Sequence, residues 1–104
     1  MIHKAFKMKL YDNMSEEYKK RHNNIWPEMV EIIHNYGGRN YSIFLDEETN
    51  ILFGYIELED AKLWNKFGEN AICQKWWEYM SDIMETNPDS SPVSVDLKEM
   101  FHLD

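Results

Sequence analysis

Cysteine is nearly absent from the 104-residue chain. Cys73 stands alone, so no intramolecular disulfide can form, which suits a reducing compartment. No apolar run approaches the roughly 18 residues of a membrane span. The opening Met1-Ile2-His3-Lys4-Ala5-Phe6-Lys7 is too interrupted by charge to be a signal-peptide core. The expected location is the cytoplasm, with no membrane partner. The sequons at Asn13-Met14-Ser15 and Asn40-Tyr41-Ser42 then read as chance. Basic residues are also short: 11 Lys and Arg face 19 Asp and Glu, a net charge of −8. A nucleic-acid or anionic-membrane surface normally shows a basic patch, so a neutral small molecule is the more natural partner. There is no phosphate-binding glycine loop, no nucleophile elbow, no dinucleotide fingerprint and no Cys/His/carboxylate spacing of a metal site.

What remains is one soluble domain over residues 1–104, large enough to bury a core without staples. Hydrophobic residues at 43% and charged residues at 29% exclude a disordered chain. Aromatics reach 14%, which serves equally a filled core or a pocket that stacks on a ligand and bonds its polar edge.

Residues 2–10 alternate, with Ile2, Phe6, Met8 and Leu10 on one face, Lys4 the exception, and predict a half-buried strand. Ser15, followed by Glu16 and Glu17, is a good helix N-cap. The helix carries Tyr18, His22, Ile25, Met29, Ile32 or Ile33, and Tyr36 on one stripe, and Pro27 predicts a kink or restart just after His22. Gly37-Gly38 ends it. Residues 40–46 alternate with Tyr41, Ile43 and Leu45 on one face. A polar turn at 47–50 makes the nearly all-apolar run 51–58 a hairpin partner, of the kind covered on both faces. Leu63, Trp64 and Phe67 mark a short helical segment stopped by Gly68. Residues 71–84 read as a helix with Ile72, Trp76, Tyr79, Met80 and Ile83 on one stripe. A loop at 87–92 precedes a last strand from Val93 to Leu103.

That order gives an α+β, ferredoxin-like βαββαβ arrangement with helices on one sheet face. Phe53 and Tyr55 on the odd face of the third strand then need another cover, which a second subunit packing sheet to sheet would supply.

His22 lies one turn after Tyr18 on the inward stripe. Spacing allows a buried structural histidine or an acid/base in a pocket. Trp76 and Trp77 point about 100° apart on their helix, so Trp76 fits the core stripe and Trp77 needs a ligand, a second subunit or a groove. Tyr41 belongs to the core-facing set of its strand. His3 and His102 lie on the first and last strands, where they could be neighbours. His34 reads as a solvated helix residue, and Cys73 as inert.

Together these residues carry a resemblance. Arg21-His22-Asn23 with Ile25-Trp26-Pro27-Glu28, Asn40-Tyr41, Cys73-Gln74-Lys75-Trp76-Trp77, Met84, Asn87-Pro88-Asp89 and Ser91-Pro92-Val93-Ser94 resemble the L-rhamnose mutarotase family from end to end. Gly37-Gly38 and the Lys-rich first strand lie outside those motifs. The resemblance implies a dimeric α+β barrel and a cofactor-free, metal-free interconversion of the α and β pyranose anomers of L-rhamnose. It implies His22 as proton donor, with Tyr18, Tyr41, Trp76 and Trp77 binding the sugar.

The chemistry suits those residue types. Anomerisation needs a proton delivered to the ring oxygen and one removed from the anomeric hydroxyl, work for a group titrating near neutral pH. A 6-deoxy sugar offers a methyl group and C–H patches to aromatic rings. Two other readings stand beside this one: a cofactor-free monooxygenase of the same barrel type, and a non-catalytic sugar-binding dimer.

Overall fold

The computed structural model describes residues 1–104. The first alternating run is strand β1, Ile2–Lys9, and Leu10 adds a single bridge to Met84. Helix α1, Ser15–Asn23, has Glu16 and Glu17 in its first turn and Lys20, Arg21 and His22 in its last, so both ends oppose the helix dipole favourably. Ser15 is not its cap. The helix already includes Ser15, and Met14 occupies the cap position without a side-chain bond.

Trp26, held extended ahead of a proline, separates α1 from α2, Pro27–Asn35. Pro27 takes the first helical position, where its missing N–H costs nothing. Gly37, at φ +87°, follows the end of α2 in the left-handed conformation that glycine adopts freely.

Strands β2, Gly38–Asp46, and β3, Ile51–Leu58, form the expected hairpin. Helix α3, Ala61–Trp64, is capped by the Asp60 carboxylate, and a tight turn at Phe67–Glu69 leads to α4, Ala71–Met80, capped by Asn70. The helix expected to reach Met84 stops at Met80. The last strand, expected from Val93 to Leu103, is also shorter: β4 is Ser94–Leu97. Pairing to β1 ends with Leu97, which faces Ala5. Beyond it Met100 and Phe101 are left 83% and 80% exposed.

The sheet order is β2-β3-β1-β4, antiparallel throughout. Each crossover leaves room for one strand, β3 between β1 and β2, and β1 between β3 and β4. This is the split βαβ arrangement of an α+β ferredoxin-like fold. The helices cover one face only. Leu52 of β3 packs with Met8 and Leu10 into a core closed by Met29, Cys73, Trp76, Met80, Ile83 and Met84, and Ile56 and Leu58 are buried on the same face of β3. The β3 strand is therefore central, but in this chain it is covered on one face. Phe53, on the other face, is 38% exposed.

Gly54 in β3 is opposite Phe6 in β1, and the Phe6 ring lies across it. A Cβ at Gly54 would run into Cζ of that ring. Gly54→Ala should therefore overpack the helix face and cost about 1–3 kcal/mol. The check is the midpoint of chemical denaturation, and a midpoint matching wild type would show that the ring has room to move.

Candidate active site

The i, i+4 spacing of Tyr18 and His22 on α1 stacks their rings at 4.3 Å between centroids with 25° between planes. Trp76 reaches the same spot from α4 and meets His22 edge-on at 5.4 Å and 87°. Tyr18 and Trp76 are buried, and His22 is half-buried.

The imidazole has a defined proton arrangement. Its Nδ1 is 3.0 Å from the Tyr18 carbonyl oxygen, which can only accept, so Nδ1 carries the hydrogen and Nε2 the lone pair. Burial lowers the His22 pKa below the ordinary imidazole value, and the carbonyl bond opposes that only in part. His22 is thus a neutral imidazole at pH 7 with a basic nitrogen available. Tyr18 is held as the phenol: burial, then the neighbouring Tyr41 phenol, pushes its pKa well above the ordinary value.

Tyr41 reaches this region from β2. Its ring meets Phe6 edge-on at 6.2 Å. The residue is 39% exposed as a whole, and burial, as the main cause, raises the pKa of its phenol. Behind burial, the Cys73 thiol adds to the rise for Tyr41, and the Tyr41 phenol adds to the rise for Tyr18. Cys73 is fully buried, and its thiol is pushed up to about 12. The structure therefore brings Tyr18, His22 and Trp76 into ring contact, with Tyr41 packed on Phe6 and near enough to act electrostatically on Tyr18.

Trp77 goes elsewhere. Its ring packs over Gly68, where a Cβ would meet Cη2 at 2.9 Å. With Gln74, Asp89 and Ser90 it lines a separate groove of about 420 Å³. His3 and His102 are indeed neighbours, with ring centroids 4.2 Å apart, at the far side of the sheet beside Glu99. His34 is exposed.

Sequence reasoning missed the group that holds α1 to α4. Arg21 donates through Nε to Glu17 at 2.8 Å, through Nη1 to the Tyr79 carbonyl and Asp82, both at 2.8 Å, and through Nη2 to Asp82 at 3.2 Å. Its guanidinium also lies over the Tyr79 ring at 4.5 Å. The Glu17–Arg21 spacing was readable as an i, i+4 pair. Asp82, 61 positions away, has no local signal. Trp26 was missed as a packing residue too. It lies off the stripe, yet it meets Trp76 edge-on at 5.1 Å and stacks on Tyr79 at 5.7 Å.

Comparison with known proteins adds a separate line of evidence. A family model described as L-rhamnose mutarotase matches residues 3–103. An L-rhamnose mutarotase of Lachnoclostridium phytofermentans is 66% identical over 104 residues, covering 100% of both chains. The crystal structure of an L-rhamnose mutarotase from Formosa agariphila superposes with a TM-score of 0.92 at 42% identity, covering 100% of both chains. An antibiotic biosynthesis monooxygenase shares the fold alone, with a TM-score of 0.62 at 10% identity over 96% of this chain and 99% of that one. With the motifs, the fold and the family model in agreement over the same residues, this chain belongs to the L-rhamnose mutarotase family.

Proposed function

We propose that this protein interconverts the α and β pyranose anomers of L-rhamnose. His22 moves the proton, and Tyr18, Tyr41, Trp76 and Trp77 bind the sugar. Beyond family membership, the observation that supports this reading is a neutral, partly desolvated imidazole between two aromatic rings with Nε2 unpartnered in the chain. Trp77 is assigned on the family pattern alone, since its ring lies over Gly68 in a groove apart from the His22 cluster.

The steps need only proton transfer. Nε2 takes the proton from the anomeric hydroxyl while the bond from C1 to the ring oxygen breaks, its electron pair staying on that oxygen. The imidazolium then gives the proton to the ring oxygen, leaving the open aldehyde. Both oxygens are attached to the same carbon, so one nitrogen can serve them in turn. Rotation about C1–C2 presents the other carbonyl face, and the reverse steps close the ring. No electron leaves the substrate, and the chemistry asks for no metal or organic cofactor. The un-ionised Tyr18 and Tyr41 hydroxyls remain donors to the sugar's oxygens. A monooxygenase reading gains nothing from this arrangement beyond the shared fold. We assign the reaction to a single domain, residues 1–104, working in the cytoplasm.

Saturation-transfer NMR on an L-rhamnose solution tests this directly. Wild type should accelerate anomer exchange, and His22→Ala should lose roughly 10²–10⁴-fold while remaining folded. Tyr18→Phe, which removes one hydroxyl contact, should lose roughly tenfold. Binding of rhamnose without faster exchange would leave a sugar-binding protein in place of an enzyme.

The working form in this scheme is the neutral imidazole, and its pKa is lowered. Exchange should therefore be flat above neutral pH and fall as pH drops through an inflection below the ordinary imidazole value of about 6.5. A rate that instead falls as pH rises through that window would make the imidazolium the working form.

The open sheet face presents Phe44, Phe53, Val95 and Leu97 together, too much apolar surface for a stable monomer. We assign it to sheet-to-sheet packing with a second copy. Sedimentation at micromolar concentration should show two chains, and Phe53→Glu should shift the species toward one. A wild-type monomer under those conditions would refute the assembly.

A further inference from the structure

Two residues of β2 three positions apart both face the helices. Gly38 lies against α2, where a Cβ would meet Ile33 Cγ2 at 2.9 Å, and the Tyr41 ring meets that of Phe6, which lies across Gly54 on the helix side of the sheet. Side chains alternate along a regular strand, so positions an odd number apart face opposite ways. The register resolves the conflict. Arg39 pairs with Glu57 and Ser42 with Tyr55, so Asn40 and Tyr41 together oppose Ile56. This is a β-bulge, one extra residue that changes the parity of everything after it.

Asn40 supplies the bulge's backbone. Its φ is +49°, in the left-handed region that Asn tolerates better than most residues. Its side-chain amide donates to Glu57 Oε1 at 3.0 Å, and the other oxygen of Glu57 accepts from the Tyr55 hydroxyl at 3.0 Å. The extra residue is thus tied down from the open side of the sheet.

We infer that Asn40 is a positioning residue for Tyr41: its left-handed backbone, anchored on Glu57, makes the bulge that turns the Tyr41 phenol toward Tyr18 and His22. Asn40 itself points away from the site and touches no reacting atom. The inference deepens the proposed function, because it rests on Tyr41 as a sugar contact. The raised Tyr41 pKa agrees with a phenol held inward.

Four variants test it: Asn40→Ala, Asn40→Gly, Glu57→Ala and the double variant Asn40→Ala with Tyr41→Phe. Alanine cannot adopt the left-handed conformation cheaply and cannot reach Glu57, whereas glycine adopts it freely. Asn40→Ala should raise KM for L-rhamnose roughly tenfold, the value of one lost hydroxyl contact, with kcat within about threefold because His22 is untouched. Adding Tyr41→Phe to Asn40→Ala should then cost nothing more. Asn40→Gly should recover KM to within about threefold of wild type. Ultraviolet titration of tyrosinate gives a readout independent of substrate. Asn40→Ala should gain one tyrosine ionising near the ordinary value of about 10, and that tyrosine should vanish in the double variant with Tyr41→Phe.

If Asn40→Gly is as impaired as Asn40→Ala, the backbone conformation is not the device and the proposal falls. It falls equally if Asn40→Ala leaves both KM and the tyrosine titration unchanged. Should Asn40→Ala not fold, Glu57→Ala removes the anchor while Asn40 still tolerates the left-handed region, so its KM and tyrosine titration should stay close to those of Asn40→Gly, and full release of a tyrosine in either variant overturns the proposal. If wild type shows no rhamnose exchange, the functional reading fails instead, and the titration still decides the bulge.

Discussion

Helix α1 is nine residues long, reads Ser-Glu-Glu-Tyr-Lys-Lys-Arg-His-Asn, and buries Tyr18 alone. A helix that short does not hold itself together in water. Arg21 ties it to the far end of α4, where the Tyr79 carbonyl is among the groups a helix terminus leaves without an intrahelical partner. Lysine could not substitute, because one planar fork meets Glu17, Asp82 and that carbonyl at once. With α1 fixed at this point, one residue from His22 and three from Tyr18, the distance from His22 to Trp76 follows.

The break at Trp26-Pro27 serves the same contact. Because Trp26 is extended and not helical, its ring can pack against both Trp76 and Tyr79, which also touch each other, while Arg21 lies on Tyr79. A helix continued through residue 26 would carry that ring elsewhere. The aromatic packing that secures α1 also takes His22 partly out of water, so the proton affinity of its imidazole is set by structural contacts. A variant that loosens the Trp26–Tyr79 stack would alter His22 through hydration as well as position.

Period-based reading recovered the strands, the Pro27 restart and the Gly37 stop, because each is written in adjacent residues. It failed where the deciding partner is remote. Val93 to Leu103 alternates well enough for a strand, but β4 ends with the Leu97–Ala5 pair. The bulge was invisible for a related reason. Tyr41, Ile43 and Leu45 alternate cleanly among themselves, and the missing parity appears only against Gly38, whose facing is known from Ile33 and Ile56. Within the site, Tyr18 with His22 was legible from i, i+4 spacing, and Trp76 from its stripe. That Trp77 would lie over Gly68 was not, because a ring pointing about 100° from the core stripe can find several walls.

The electrostatics around His22 connect the fold to the class of ligand. Its proton affinity responds to burial and to one backbone carbonyl, with no charged side chain contributing. Arg21, the nearest cation in sequence, is committed to Glu17 and Asp82, and those bonds raise its own pKa further. The cluster therefore offers aromatic faces, phenol hydroxyls and a neutral imidazole, and no counter-charge for a phosphate or a carboxylate. An anionic substrate would have to give up its hydration for contacts that cannot replace it. A neutral sugar loses far less, and its hydroxyls and C–H faces match the phenols and rings. The same lack of charge that favours such a ligand leaves the imidazole neutral at physiological pH, ready to begin a cycle in which it takes up and returns one proton.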